Sequence, residues 1–309
     1  MGFRFMEFLR GALDKGKIVK AEKEASVVNS AEATNISQEG LSFVVGKGSH
    51  IGKKREHNED AFFTLECTLK QNDEMMPFGL FIIADGMGGH QAGDVASALA
   101  TRVVAHNLMR QVYLPFLRDE ERDSSRPPIN EALIDALSEA SLAVYEAVPD
   151  AGTTLTAALI VGTHAYIGHV GDSRAYLVTE KGLQQITQDH SLVARLIELG
   201  QATPEEAMTH PQRNVLYRAL GQGGSMEVDT YFQLLPAGSQ LLLCSDGLWG
   251  AAPEHEMAAL IAAAPSPQIA CRKLIEAAIT HGGEDNITMI LIAITDNKSI
   301  AQKQAKEVR

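Results

Sequence analysis

The sequence predicts an α+β fold in which antiparallel sheets are layered with a few long helices. The stretch from Thr154 to Val178 reads as short strands joined by tight turns at Gly162-Thr163 and Gly171-Asp172. Consecutive strands joined by tight turns pair antiparallel, which predicts a meander here. Long segments with helical periodicity are few and do not alternate with the strands, which favours an α+β sandwich over a parallel sheet.

Each element is predicted from its own pattern. Apolar, β-rich runs bounded by turn residues predict strands at Phe78–Ala84, Thr154–Val161, His164–Val170, Arg174–Val178 and Gln240–Cys244. Apolar residues at intervals of three and four predict helices at Asp94–Val112, Asn130–Val148 and Pro267–Thr280. Residues 191–224 carry two short helical patterns between strands, and we expect them to form a mobile flap.

These elements indicate one domain over residues 41–296, with an N-terminal extension at 1–40 and a C-terminal tail at 297–309. In the extension, Phe5, Phe8, Leu9 and Leu13 fall on one helical face and a polar run follows. The extension is therefore either a frayed helix with a flexible linker or a short amphipathic anchor for a partner or a membrane surface.

The composition excludes several classes of protein. With 45% hydrophobic and 21% charged residues, most of the chain is globular rather than disordered. A net charge of −12 argues against a nucleic-acid-binding protein, whose footprint would be basic. No run approaches the roughly 18 apolar residues of a membrane span. The three cysteines lack CxxC spacing, which fits a reducing compartment and predicts a cytoplasmic protein.

Carboxylates stand beside apolar strands in four segments. Asp85, Asp172 and Asp246 follow such runs, and Asp285 precedes one. A carboxylate at the end of a buried strand is costly unless it is paired or binds a metal. Converging carboxylates repel each other, and oxygen ligands suit hard cations such as Mg²⁺ or Mn²⁺. The main-chain oxygen of Gly86 is a further candidate ligand, because glycine lets the backbone approach closely.

Arg55 is a candidate phosphate ligand, because a guanidinium group can bind a phosphate with two hydrogen bonds. It begins the segment Arg55-Glu56-His57-Asn58-Glu59-Asp60, so it lies close to further carboxylates. Taken alone, this segment is more simply explained as a solvated charge run, and each Asp-Gly pair as a turn. The combination and order of the segments make the functional interpretation stronger.

In that order, the motifs resemble those of the metal-dependent type 2C (PPM family) serine/threonine protein phosphatases, particularly the bacterial branch. The resemblance covers about residues 41–295. The matching segments are REHNEDAFF, ADGMGGHQAGDVAS, AGTTLTAALI, YIGHVGDSRAYL, ITQDHSLV, HPQRNVLYRALG, LLLCSDGLWG and EDNITMILI.

The resemblance implies a four-layer α-β-β-α sandwich of two antiparallel sheets, with a centre of two Mg²⁺ or Mn²⁺ ions at one end. Asp85 would bridge the two ions. Asp246 and Asp285 would complete one site, and the main-chain oxygen of Gly86 would serve the other.

The resemblance also implies roles for residues around these ligands. Glu59 would serve one metal directly or through water, and Asp60 would lie behind the ligands and hold a water. Asp172 would form a third, weaker cation site together with Asp246. Arg55 would bind the phosphate.

The implied activity is hydrolysis of phosphoserine and phosphothreonine in proteins by direct attack of a water that bridges the metals. The partners would be phosphorylated substrates of serine/threonine kinases, and we expect a monomer. Met87 stands where many eukaryotic relatives have a histidine general acid, so the proton donor for the leaving group stays open. Two alternatives remain at this point: an inactive metal-binding sensor or interaction module, and a hydrolase of small phosphorylated molecules.

Overall fold

The computed structural model describes residues 41–71, 74–88, 92–117, 127–203, 206–207, 210–223 and 226–296. The predicted N-terminal extension, with its candidate amphipathic helix, and the predicted C-terminal tail lie outside these residues.

The strands form two antiparallel sheets. One has the strand order β1-β11-β10-β7-β8, and the other has the order β2-β3-β5-β6-β9 with β4 beside β3. The strands are β1 Leu41–His50, β2 Asp60–Gln71, β3 Glu74–Met87, β4 Gly152–Thr153, β5 Leu155–Val161, β6 His164–Val170, β7 Arg174–Thr179, β8 Gly182–Gln185, β9 Asp229–Leu234, β10 Gln240–Cys244 and β11 Ile287–Asp296.

The helices agree with the periodicity of the sequence, and all three predicted helices are confirmed to within a few residues. The last one begins after Ser266, whose hydroxyl accepts a hydrogen bond from the N–H of Ile269, and has Pro267 at its first position. The helices are α1 Ala92–Leu108, which continues through a π-helix at Met109–Tyr113 into α2 Leu114–Leu117, then α3 Ile129–Ala147, α4 Leu192–Glu198, α5 Asp246–Trp249, α6 Glu254–Ala262 and α7 Pro267–Thr280.

Alternation along β3 shows how the layers are built. Leu80 and Ile82 belong to the cluster between the six-stranded sheet and helices α1 and α3. Phe81 and Ile83 point the other way, into the cluster between the two sheets. A third cluster packs α6 and α7 against the outer face of the five-stranded sheet. Both faces of each sheet are thus covered, and the predicted four-layer α-β-β-α sandwich is confirmed.

The predicted meander is wrong at its second turn. The β5–β6 hairpin pairs as predicted, but β7 pairs with β10 and β8 in the other sheet. Gly171 makes this change of sheet with a φ of +113°, a conformation that favours glycine. In the sequence this turn resembles the one at Gly162-Thr163. The structure distinguishes them, because residues 170–173 are buried, whereas Thr163 is partly exposed.

The predicted insertion lies between β8 and β9. It begins with α4, whose N-cap residue Ser191 accepts a hydrogen bond from the N–H of Ala194. A single β-bridge joins Ser191 to Leu216 within the insertion, and another joins Leu220 to Thr153, so the later part of the insertion is attached to the sandwich. Part of its second helical pattern lies outside the described residues, and its mobility stays a prediction.

Candidate active site

The strand register brings Asp60 and Asp85 together. They are partners in the antiparallel β2–β3 pair, where opposed side chains lie on the same face. The N–H of Asp85 donates to Thr154 Oγ1 at 2.9 Å, and its carbonyl accepts from Thr153 Oγ1 at 2.9 Å and from the N–H of Thr154 at 2.8 Å. Asp85 is therefore presented by a backbone that is fixed on both sides.

Helix α5 brings Asp246 beside the loop that contains Asp285. The helix follows β10 directly and packs on the residues before β11, and a Cβ at Gly247 would collide with the main-chain oxygen of Asn286. Only glycine permits this approach. Ser245 strengthens the junction, because its hydroxyl donates to Asp60 Oδ2 at 2.9 Å and accepts from the N–H of Thr288 at 2.9 Å.

Asn286 holds the segment that carries Arg55 and Glu59. Its Oδ1 accepts a hydrogen bond from the N–H of Glu59 at 2.8 Å. Its Nδ2 donates to the carbonyls of Ile51 at 2.9 Å and His57 at 3.0 Å. One amide side chain thus fixes the β1–β2 loop against the start of β11.

Burial is the main reason why carboxyl groups of this site have raised pKa values. It raises the pKa of Asp60 to about 7 and that of Asp246 to about 6. It raises the pKa of Asp85 and of Asp172 well above the usual range. Neighbouring carboxylates add to all four shifts, because each ionised group disfavours ionisation of the next. A bound cation would remove this repulsion at neutral pH.

Two oxygens of the cluster favour a cation directly. Asp60 Oδ1 and Asp246 Oδ1 are buried and have no hydrogen-bond partner. A buried acceptor without a partner is costly, and a hard cation is a partner that carboxylate oxygens prefer. The donor set, made of carboxylates and main-chain oxygens, fits Mg²⁺ or Mn²⁺.

Arg55 pairs with Asp285. Its Nη2 donates to Asp285 Oδ2 at 2.7 Å, and the two side chains are 49% and 28% exposed. This hydrogen bond is the main reason why the pKa of Arg55 is raised. Among the described residues, no group of three or more His, Cys, Asp or Glu side chains is arranged as a ready metal site.

These residues share one cleft with a volume of about 190 Å³. Arg55 stands at its exposed side, and the carboxylates stand inside. The lining residues are Arg55, Glu59, Asp85, Gly86, Met87, Gly88, Thr154, Asp172, Asn214, Leu216, Asp246 and Asp285.

Comparison with known proteins identifies the family. The family model described as protein phosphatase 2C matches residues 47–267. The chain belongs to this family. It is similar to the serine/threonine phosphatase stp of Listeria monocytogenes, with 39% identity over 244 residues that cover 78% of this chain and 92% of that protein. It is also 38% identical over 222 residues to the serine/threonine protein phosphatase PstP of Mycobacterium tuberculosis, covering 70% of this chain and 40% of that protein.

Solved structures of protein phosphatase 2C relatives have the same fold. The serine/threonine phosphatase of S. agalactiae matches with a TM-score of 0.68 and 30% identity, covering 81% of this chain and 99% of that one. The catalytic domain of PstP, in complex with two manganese ions, matches with a TM-score of 0.66 and 32% identity, covering 83% of this chain and 100% of that domain.

In this protein phosphatase 2C chain, almost every predicted site residue lies in the cleft. Seven of them line it: Arg55, Glu59, Asp85, Gly86, Asp172, Asp246 and Asp285. Asp60 does not line it but lies behind, hydrogen-bonded to Ser245. That the carboxylates and Gly86 bind metal, and that Arg55 binds phosphate, stays a prediction.

Sequence reasoning missed several residues that shape the cleft. Asn286 and Ser245 support it through hydrogen bonds. Asn214 and Leu216 line it from the insertion. The position of Asn286 directly after Asp285 was the available signal. Asn214 and Leu216 lie in HPQRNVLYRALG, one of the segments that carry the family resemblance, but that segment alone assigns them no place in the cleft.

Proposed function

We propose that this chain is an Mg²⁺- or Mn²⁺-dependent protein serine/threonine phosphatase that works from the Asp85–Asp246 cleft. The observation that carries the proposal is the cluster of buried and partly buried carboxyl groups with raised pKa values, in one cleft with the half-exposed Arg55. Family membership supports the same function.

The metal ligands that we propose are the carboxylates of Asp85, Asp246 and Asp285 and the main-chain oxygen of Gly86. Glu59 would reach a metal directly or through water. When bound, two divalent cations activate a water for in-line attack on phosphorus and neutralise the charge that develops. In the proposed third site, Asp172 and Asp246 would hold a weaker cation.

Arg55 is proposed to bind the phosphoryl group. Its guanidinium carries several donors, and one hydrogen bond to Asp285 leaves others free for two phosphoryl oxygens. A fixed guanidinium holds the phosphorus in line with the attacking oxygen, which lowers the entropic part of the barrier.

Asp60 is proposed to hold a water molecule from behind the proposed metal ligands. Its Oδ2 accepts from Ser245, and its Oδ1 is buried without a partner. The free oxygen can accept a hydrogen bond from a water molecule that approaches the carboxylate cluster.

A phosphorylated protein side chain is the substrate that the cleft fits best. Arg55 is 49% exposed, so the phosphate-binding end of the cleft opens at the surface of the molecule. A phosphoserine or phosphothreonine on a protein can reach it there, whereas a small phosphorylated metabolite would need walls around the rest of the molecule. This observation favours protein substrates over the small-molecule alternative.

The setting of the enzyme is also a proposal. We propose a cytoplasmic monomer, organised as the 41–296 domain with short extensions, whose substrates are targets of serine/threonine kinases. In the part of the chain that the structure describes, no helix is long and apolar enough to cross a membrane.

The test is hydrolysis of a chromogenic aryl phosphate and of a phosphothreonine peptide, each with Mn²⁺, with Mg²⁺ and with a chelator. We expect turnover of both substrates that requires metal and stops with the chelator. A folded, metal-loaded protein that hydrolyses neither substrate would overturn the proposal in favour of an inactive sensor or interaction module.

A further inference from the structure

The single tryptophan of the chain is hydrogen-bonded to a predicted metal ligand. Trp249 Nε1 donates to the main-chain oxygen of Asp172 at 3.0 Å. Trp249 also packs against the apolar cluster behind the five-stranded sheet, as expected for a partly buried core residue. Packing alone does not require this hydrogen bond.

The bond links two carboxylates that are far apart in sequence. Trp249 ends α5, and Asp246 begins the same one-turn helix. The helix that presents Asp246 therefore holds the backbone that presents Asp172. Asp172 and Asp246 both line the cleft.

Arg174 fixes the indole ring in turn. Its guanidinium carbon lies 3.5 Å from the centroid of the Trp249 ring, so the two groups stack. The guanidinium is itself anchored, because Nε and Nη2 donate to Asp189 at 3.0 Å and 2.7 Å, and Nη1 donates to Tyr176 Oη at 2.9 Å. The stacked guanidinium and the hydrogen bond to Asp172 together define the orientation of the indole ring.

The other side of the Asp172 turn is equally constrained. Gly171 has a φ of +113°, and a Cβ on it would meet the side chain of Thr154. Asp172 is only 6% exposed. The turn is thus held between Thr154 on one side and Trp249 on the other.

We infer that Trp249 is a positioning residue for the Asp172–Asp246 pair, and that Arg174 keeps its ring in place. The inference rests on the proposed function, in which those two carboxylates share a weaker cation. Hydrogen bonds behind a ligand orient it, so a small shift of the Asp172 backbone should weaken this cation more than those held by Asp85.

Three variants separate positioning from packing. Trp249→Phe keeps an aromatic ring for Arg174 to stack on but removes the N–H donor. Asp172→Ala removes the proposed ligand itself. Tyr145→Phe is the control, because it removes a hydroxyl from an aromatic residue of α3 that is 55% exposed and leaves the Trp249–Asp172 bond intact.

The first measurement is an equilibrium Mn²⁺ titration of the full chain, with free Mn²⁺ counted by electron paramagnetic resonance. We expect two tighter ions and one weaker ion in the wild type. In Trp249→Phe the weaker ion should lose about tenfold in affinity while the tighter pair is unchanged, as is usual when a supporting hydrogen bond behind a ligand is lost. Tyr145→Phe should match the wild type.

The second measurement uses Trp249 itself as the reporter and needs no substitution at this position. In a titration with Mg²⁺, which does not quench by paramagnetism, tryptophan emission of the wild type should change with the weaker binding event. In Asp172→Ala that late change should be absent.

The outcomes decide between the explanations. Unchanged affinity for the weaker ion in Trp249→Phe, with only a lower melting temperature, would mean that Trp249 is a packing residue. If the tryptophan emission of the wild type does not change when the weaker Mg²⁺ ion binds, the inference is overturned. This result would count even if Trp249→Phe did not fold. If the wild type binds only two ions and still hydrolyses the phosphopeptide, both the inference and the third site are overturned. The proposed phosphatase function would not be affected.

Discussion

Asp246 and Asp285 belong to the same cluster but are neutralised differently. Asp246 has a buried oxygen without a hydrogen-bond partner, and burial raises its pKa to about 6. Asp285 is paired with Arg55 at 2.7 Å. Arg55 therefore compensates the Asp285 carboxylate, whereas a bound cation would be the partner of the free Asp246 oxygen.

Asp246→Asn should abolish turnover and stabilise the metal-free protein. Losing the ligand should cost about a thousandfold in kcat/KM, equivalent to several kcal/mol of transition-state stabilisation. Because the folded-state pKa is raised, the ionised group destabilises the fold above pH 6. In the presence of a chelator, asparagine should then raise the free energy of unfolding by about 1 kcal/mol, which corresponds to a melting temperature higher by about 2–4 °C.

Asp135→Asn, the same change at an exposed position of α3, is the control and should alter neither quantity. Wild-type activity in Asp246→Asn would show that the assignment of the metal site is wrong.

Arg55→Ala should impair phosphate binding and leave metal binding intact. A charged hydrogen-bond pair contributes about 1.5–3 kcal/mol, so kcat/KM for a phosphopeptide should fall roughly 10–100-fold, mostly through KM. Arg55→Lys should recover part of the loss, because lysine keeps the charge but not the fork geometry. Steady-state kinetics together with Mn²⁺ titration test this; lost metal affinity with unchanged phosphate affinity would contradict the proposed role.

At the scale of elements, the β6–β7 turn has two functions. It carries the chain from the six-stranded to the five-stranded sheet, and it places Asp172 in the cleft. The β5–β6 turn at Gly162 only closes a hairpin. The two turns look alike in sequence, so their glycines offer a matched comparison.

Gly171→Ala should destabilise the protein much more than Gly162→Ala. Both glycines have positive φ, at +113° and +60°. An added Cβ at Gly162 meets nothing within 4 Å, so its cost should be the conformational one of about 1–2 kcal/mol. At Gly171 it would also collide with Thr154, which should raise the loss to about 3 kcal/mol or more. Urea unfolding measures both, and equal losses would refute a tightly packed turn.

Strand β6 also carries a buried histidine that should make the protein sensitive to acid. Burial lowers the pKa of His169 to about 3, with His190 adding to the shift. Its Nε2 donates to the carbonyl of Gln188 at 3.1 Å, so Nδ1 accepts from Thr156 Oγ1 at 2.9 Å. The native ring stays neutral, whereas the unfolded chain takes up a proton below about pH 6.5.

The free energy of unfolding that depends on a neutral His169 is thus fully present above about pH 6.5. It is lost as the pH falls toward 3, because only the unfolded chain takes up the proton in this range. Between pH 7.5 and 5.5 the wild type should lose about 1 kcal/mol of unfolding free energy relative to His169→Gln. Urea unfolding at both pH values measures the difference, with the exposed His106→Gln as control. Parallel pH profiles for the wild type and His169→Gln would contradict the assignment.

At the scale of the whole molecule, the candidate site joins the two sheets. Asp60 and Asp85 come from β2 and β3 of the six-stranded sheet. Asp246 and Asp285 adjoin β10 and β11 of the five-stranded sheet. A cation bound by carboxylates of both groups would hold the sheets together at this end, so metal binding should affect the stability of the entire sandwich.

Mn²⁺ should therefore raise the melting temperature. A ligand at one hundred times its Kd stabilises the native state by about 2.7 kcal/mol, which corresponds to a shift of about 5–10 °C for a domain of this size. A chelator should reverse the shift, and Asp246→Asn should lose most of it. Differential scanning calorimetry is the measurement, and a melting temperature that does not respond to Mn²⁺ would exclude a structural link between the sheets.

The fold class and most of the strands and helices follow from the sequence alone, and the sequence with its family resemblance supplied the predicted site residues. They depend on local properties: the period of apolar residues, the turn residues, and carboxylates at the ends of apolar runs. The strand Phe78–Ala84 is an example, since its continuous apolar run already indicates burial on both faces.

Only the tertiary structure decided how those residues meet. The change of sheet at Gly171, the pairing of Arg55 with Asp285, the amide of Asn286 behind Glu59 and the bond from Trp249 to Asp172 all join segments distant in sequence. No local pattern encodes these contacts, because they depend on how two sheets and their helices pack. The sequence therefore determined which chemical groups the site contains, and packing decided which of them touch.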